Sequence, residues 1–177
     1  MEIIKFISLS EGEWKSMRSG HSLAFQHFEE VLSKINIEII NIKNPLIQEI
    51  ISSSPFNESE AISPFRIDWE AESNWDSNDN ESLSVGTCYL IPIPESEKKG
   101  KIIRTLGYSE RIKAISNYQF LNDGTFSIQT KYDYTLSEEK IWFASKNVRC
   151  RSSIISSLDN QSIIQTSFAS EIRKINQ

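Results

Sequence analysis

Leu121-Asn122-Asp123-Gly124-Thr125-Phe126-Ser127-Ile128-Gln129-Thr130-Lys131-Tyr132-Asp133-Tyr134 is the stretch whose reading decides the fold. Asp-Gly tolerates the positive φ angles of a tight turn, so Asn122-Asp123-Gly124 predicts a hairpin between two strands. Past the turn, Phe126, Ile128, Thr130, Tyr132 and Tyr134 share one face of a strand, and Ser127, Gln129, Lys131 and Asp133 share the other. That split is expected where one face is buried and the other wet. Working outward, turn clusters recur at 77–80, 92–100 and 158–161. Between the turns lie β-rich runs over 83–91, 101–108, 112–121, 125–134, 139–144, 148–156 and 162–170, the spacing of an antiparallel meander.

The N-terminal third is mixed. Ile3, Ile4, Phe6 and Ile7 predict a short helix over 2–9 that lids or plugs one end of a sheet structure. Residues 14–25 read as a strand, or as a strand followed by a turn at Gly20, and 34–42 as another strand. Asn44-Pro45 caps a helix expected over 46–51, closed by the serines at 52–54, and 55–64 is a loop. Phe65, Ile67, Trp69, Ala71, Ser73 and Trp75 fall on one side of an extended segment opposite Arg66, Asp68, Glu70 and Glu72. Some nine or ten strands with no helical crossover are best closed into a barrel, which removes exposed edges and can hold one small ligand. The expected fold is all-β with minor α: an antiparallel barrel of about ten strands, an N-terminal helix and a second short helix.

Composition narrows the function classes. A chain of 177 residues suits one domain, 1–177, rather than two. With 19 Lys and Arg against 24 Asp and Glu, the charge is −5 and no basic run tracks a phosphate backbone, so nucleic acid is not an expected partner. No apolar stretch approaches the roughly 20 residues that span a bilayer, and Met-Glu-Ile-Ile-Lys lacks a signal-peptide pattern; a cytoplasmic protein is expected. Cys88 and Cys150 do not make a disulfide scaffold, and two histidines without a cysteine or carboxylate cluster give no metal site.

Chemistry concentrates in three segments. Trp142-Phe-Ala-Ser-Lys-Asn-Val-Arg149-Cys150-Arg151 puts two arginines on alternate positions of a strand, hence on one face. Two guanidinium groups on a buried face need an anion or carboxylates to meet them, although an isolated Arg-x-Arg is more often a solvent-facing pair. Residues 12–25 add Trp14, Arg18 and His21, and residues 65–76 add Trp69 and Trp75, so all four tryptophans lie in or beside these segments. Flat apolar surfaces alternating with cationic and carboxylate groups suit a large planar acid.

The ordered set Trp14-x-Ser16-x-Arg18-x-x-His21-x-Leu-Ala-Phe, Trp69, Trp75-Asp76, Gly107-Tyr108 and Trp142-Phe-Ala-Ser-x-Asn-x-Arg149-x-Arg151-Ser resembles the S-type phycobiliprotein lyases, the CpcS/CpeS family, over about residues 4–172. The sequence departs from that pattern at Lys146, where proline is common, and at Cys150, which replaces a bulkier apolar residue. The resemblance implies a lipocalin-like (calycin) barrel that binds a linear tetrapyrrole, phycoerythrobilin or a related bilin, and passes it to a cysteine of a phycobiliprotein, with the phycoerythrin β subunit as the expected acceptor. It implies no cofactor beyond the bound bilin and supply of the bilin by a bilin reductase, and it leaves a homodimer open.

The resemblance also implies roles. Arg149, Arg151 and Arg18 would hold the bilin propionates, since the planar guanidinium matches a carboxylate. Glu139 and Glu171, which the sequence alone reads as solvent-facing, would accept from the pyrrole N–H groups and support a protonated ring system. Trp69 and Trp75 would stack on the rings, and His21 would donate to the ligand and exchange a proton; core packing and a hydrogen-bonded rim histidine are the plain alternatives. Trp14 is expected to pack beneath the barrel opening and Asp76 to cap a turn. Glu139, Glu171 and His21 are the expected catalytic groups. A calycin-type carrier of a tetrapyrrole or fatty acid, with no transfer, would share this arginine chemistry, and a scaffold that binds a phycobiliprotein without chromophore would not need it.

Overall fold

The computed structural model describes residues 1–23, 25–73, 84–105 and 113–175. Ten antiparallel strands close into a barrel in which every neighbour in sequence is a neighbour in the sheet, and β1 also pairs β10 to complete the ring. The strands are β1 Gly12–Ser22, β2 His27–Ile39, β3 Phe65–Ser73, β4 Ser84–Pro94, β5 Lys99–Thr105, β6 Lys113–Phe120, β7 Phe126–Lys131, β8 Thr135–Ser145, β9 Val148–Ser157 and β10 Ile163–Arg173. The expected meander is present, with two differences at the N-terminal end. β1 runs through Gly20, which pairs with Glu29 and Ser167, and β2 starts seven residues before the expected 34 because the β1–β2 hairpin pairs all the way to Ser22 and His27.

The 121–134 stretch forms its hairpin by a longer loop than a two-residue turn. Leu121 N–H donates to Thr125 O at 2.9 Å, Gly124 alone takes a positive φ (+85°), and Asp123 accepts from Thr125 N–H at 2.9 Å. Phe126, Ile128 and Thr130 are buried and Gln129 and Lys131 exposed as expected, but Ser127, expected on the wet face, is buried as well. The strand ends at Lys131, so Tyr134 leaves the barrel and is 75% exposed.

Helix α1, Ile3–Ser10, plugs one end. Ile3, Phe6, Ile7 and Ser10 are buried, the i, i+3, i+4, i+7 stripe of an amphipathic helix. Phe6 stacks on Phe126 at 4.3 Å and meets Phe120 and Phe143 edge-on at 5.9 Å, sealing the core at that end. Helix α2, Pro45–Ser52, begins at Asn44, whose side chain accepts from Leu46 N–H. Its Ile47, Ile50 and Ile51 cover Ile91, Ile93 and Ile103 on the outside of the barrel, a second small core. This is why β4 and β5 carry buried isoleucines or leucine on both faces.

Candidate functional site in the barrel lumen

Side-chain alternation sends Ser16 and Arg18 of β1, Ile67 and Trp69 of β3, Glu139 and Ile141 of β8, Arg149 and Arg151 of β9, and Ala169 and Glu171 of β10 to the lumen, where they line one cavity of about 620 Å³. That volume lies within the roughly 300–1,000 Å³ of small-molecule sites. One wall is apolar, built from Val31, Ile35, Ile37, Phe65, Leu90 and Ile128 among others. The other carries charge.

The charged wall is a chain of ions. Arg149 Nε donates to Glu171 Oε2 at 2.5 Å, Glu171 Oε1 lies 3.6 Å from Arg151 Nη2, Arg151 Nη1 lies 3.8 Å from Glu139 Oε2, and Glu139 Oε1 lies 3.5 Å from Arg104 Nη1. Three arginines face two glutamates, an excess of one positive charge in a largely apolar chamber. Burial pulls the Arg149 pKa down to about 10, with Glu171 opposing that pull, so the guanidinium stays charged at neutral pH. Burial also works against the Arg104 charge, but the Glu139 carboxylate, helped by Cys88 and Tyr132, holds its pKa above the ordinary value. Arg149 Nη2, Arg151 Nε and Arg104 Nε are buried donors with no hydrogen-bond partner among the described residues. Buried N–H groups of this kind are ordinarily satisfied, so the chain has unused capacity for an anionic ligand.

Exposure grades along the barrel: the side chain of Arg149 is 2% exposed, Arg151 28% and Arg18 41%. Water therefore reaches the lumen from the end opposite α1. The deep end is fixed by Trp14, which is buried against the guanidinium groups of Arg149 (4.8 Å) and Arg173 (4.2 Å) and donates from Nε1 to Ser10 O at 2.8 Å. Arg173 donates to the Leu9 and Glu11 carbonyls, satisfying orphan acceptors at the C-terminus of α1. Trp14 thus packs at the plugged end, and the expectation that it lies beneath the opening is corrected.

Of the residues expected from sequence, Arg18, Trp69, Glu139, Arg149, Arg151 and Glu171 all line the one cavity. The two glutamates are not solvent-facing: Glu171 is 1% and Glu139 20% exposed. Arg18 stands toward the open end and is held by Glu29 at 3.0 Å. Trp69 lies across Gly86, where a Cβ would come within 2.2 Å of the ring. His21 is exposed, with its ring 4.8 Å from that of Phe28, and is not among the lining residues. Trp75, Asp76, Gly107 and Tyr108 fall outside the described residues. Cys150 points away from the lumen, in register with Trp142.

Arg104, Glu29 and Cys88 also line the cavity and were not anticipated. Arg104 shares the inward face of β5 with Ile102, a signal hidden because Ile103 on the outward face is equally apolar beneath α2. Burial raises the Cys88 thiol pKa, and its Sγ donates to Thr105 O at 2.8 Å. Among the described residues, no group of three or more His, Cys, Asp and Glu is placed to hold a metal ion, and no helix is long and apolar enough to cross a membrane.

A meander barrel with a helical plug and a charged lumen defines a lipocalin-like ligand-binding protein. Known proteins make this specific. Residues 2–174 match the model of the CpeS-like protein family. The chain is 43% identical to a protein of Trichodesmium erythraeum named chromophore lyase CpcS/CpeS 3, over 98% of this chain and 99% of that one. It is 41% identical, over 85% of this chain and 66% of the other, to a Microchaete diplosiphon protein whose name carries phycoerythrobilin lyase CpeS. The solved structure of the S-type phycobiliprotein lyase CPES from Guillardia theta superposes with a TM-score of 0.87 at 32% identity, covering 100% of this chain and 95% of that one. The chain belongs to the CpeS-like family and is, with these relatives, a chromophore lyase.

Proposed function

We propose that this protein, acting as one domain in the cytoplasm, binds phycoerythrobilin non-covalently in the barrel lumen and delivers it to a cysteine of a phycoerythrin β subunit as a thioether. The observation that carries the reading is the Arg149–Glu171–Arg151–Glu139–Arg104 chain facing an apolar wall across one cavity. A bilin has two propionates, pyrrole-type N–H groups and flat apolar rings, and each has a counterpart here. The unused donors of Arg149 and Arg151, with Arg18 nearer the mouth, suit the propionates. Trp69 offers a flat surface to a ring.

The two carboxylates differ in freedom. Glu171 is committed to Arg149 at 2.5 Å, whereas Glu139 sits at 3.5 Å and 3.8 Å from its arginines with 20% of its side chain exposed. Glu139 is therefore the carboxylate that can turn toward a pyrrole N–H and stabilise a protonated, cationic ring system. The placement of His21 outside the lining favours Glu139 over it for that task. The nucleophile belongs to the partner. Its thiolate adds to the exocyclic carbon of the ethylidene group on the first ring, the adjacent ring carbon takes a proton, and no group leaves. The protein contributes position, exclusion of water and an electrostatic field set before the reaction. A bilin reductase is the upstream source of such a ligand.

The relative's name that carries phycoerythrobilin favours that bilin. The test is to mix the protein with phycoerythrobilin, record the absorption change, add the apo-phycoerythrin β subunit, and look for zinc-fluorescent covalent pigment on a denaturing gel. A red-shifted complex followed by covalent transfer is expected. A bound bilin that transfers to no subunit would make the protein a carrier, and an unchanged spectrum would overturn the bilin reading.

A further inference from the structure

We propose that three hairpin tips at the open end of the barrel form an apolar docking rim for the acceptor subunit. The inference rests on the transfer reading above. The β1–β2, β9–β10 and β7–β8 connections lie side by side and are stitched together: Leu23 N–H donates to Ile164 O at 2.8 Å and Leu158 N–H to Tyr134 O at 2.9 Å. On this arc Phe25 is 85% exposed, Tyr134 75%, Leu23 51% and Ile163 47%. Phe28, at the start of β2, adds a further exposed ring braced by His21.

None of these side chains belongs to either core. A single exposed apolar residue is ordinary, but several on one continuous edge, aromatics included, mark a contact surface. Tyr and Phe are also residues that concentrate binding energy at protein interfaces.

The chemistry selects the occupant. The new bond joins a ligand carbon inside the lumen to a sulfur on another protein. The other end is sealed by α1, and exposure of the lumen arginines rises toward the hairpin tips. The acceptor's cysteine must therefore enter at this end of the barrel, where the surface around it can rest on these tips. A second copy of this chain seated there would close the route to the thiol. The rim thus fits a folded partner that presents a free cysteine within an apolar surround, and His21 serves it by bracing Phe28.

The test compares the full chain with Phe25→Ser, Tyr134→Ser and the double variant, with Met17→Ser, an exposed change on the barrel wall, as control. Affinity for the apo-β subunit, phycoerythrobilin titration and covalent transfer are measured on each. The double variant is expected to bind bilin with an unchanged spectrum while its affinity for the subunit and its transfer rate fall roughly tenfold or more. The control is expected to match the parent. Parental affinity and transfer in the double variant would overturn the rim. So would a shift in self-association of the protein alone, since the arc would then be a contact between copies. Failure of the parent itself to transfer bilin would instead sink the lyase reading, and the two failures are thereby distinct.

Discussion

Arg149 and Glu171 face each other on neighbouring strands across 2.5 Å, with 2% and 1% of their side chains exposed. Removing one member of a buried pair strands the other without solvent. Glu171→Gln and Arg149→Ala are each expected to destabilise the fold by about 3–5 kcal/mol, read as a lower urea midpoint. Arg149→Ala should also weaken phycoerythrobilin binding several-fold. An unaltered midpoint would show that the pair does not support the fold, and unaltered binding would remove Arg149 from the propionate contacts.

Glu139 is held differently, and its substitution should separate chemistry from stability. Glu139→Gln is expected to destabilise the fold less than the Arg149 and Glu171 substitutions, because its ion pairs are longer, at 3.5 and 3.8 Å, and a fifth of its side chain is exposed. The absorption of the bound bilin should move. Arg104→Gln removes a cation beside Glu139, so the bound bilin should keep its proton to higher pH. A pH titration of the complex's absorption checks both, and identical curves in parent and variants would take Glu139 out of contact with the ring nitrogens.

Gly86 is expected to be as important to the pocket as the ring it supports. A methyl group there would press into Trp69 at 2.2 Å and push the indole into the lumen. Gly86→Ala should cost about 1–3 kcal/mol of stability and reduce bilin affinity. Spectral titration checks the second effect, and parental affinity would mean that Trp69 does not touch the ligand.

Tyr118 gives a pH dependence of known sign. Burial, with a smaller contribution from Glu95, pushes its hydroxyl up to about 12, whereas an unfolded tyrosine ionises near about 10. Between those values the unfolded chain has lost the proton and the folded one keeps it, so stability is full below about pH 10 and falls as pH rises toward 12. Tyr118→Phe should remove that part of the alkaline loss. At neutral pH it should cost little, because the hydroxyl has no hydrogen-bond partner among the described residues. Urea midpoints on either side of pH 10 check the difference between parent and variant.

The sequence by itself determined the meander, the plug and the shared face of Arg149 and Arg151. Each follows from a local rule: a period of two in strands, an i, i+3, i+4, i+7 stripe in α1, and Gly124 at the turn that needs positive φ. It also determined most of the lumen set once the ordered motifs were read together as a family pattern. The tertiary structure alone decided which charges meet. Glu171, Arg151, Glu139 and Arg104 stand on β10, β9, β8 and β5, and their order around the ring depends on closure and register, which no local window encodes. Closure likewise turned two glutamates that read as solvent-facing into lumen residues, and placed Trp14 against the helix plug rather than beneath the mouth. Arg104 stayed hidden in the sequence for the same reason: whether an arginine faces water or a cavity is settled by the wall that closes opposite it.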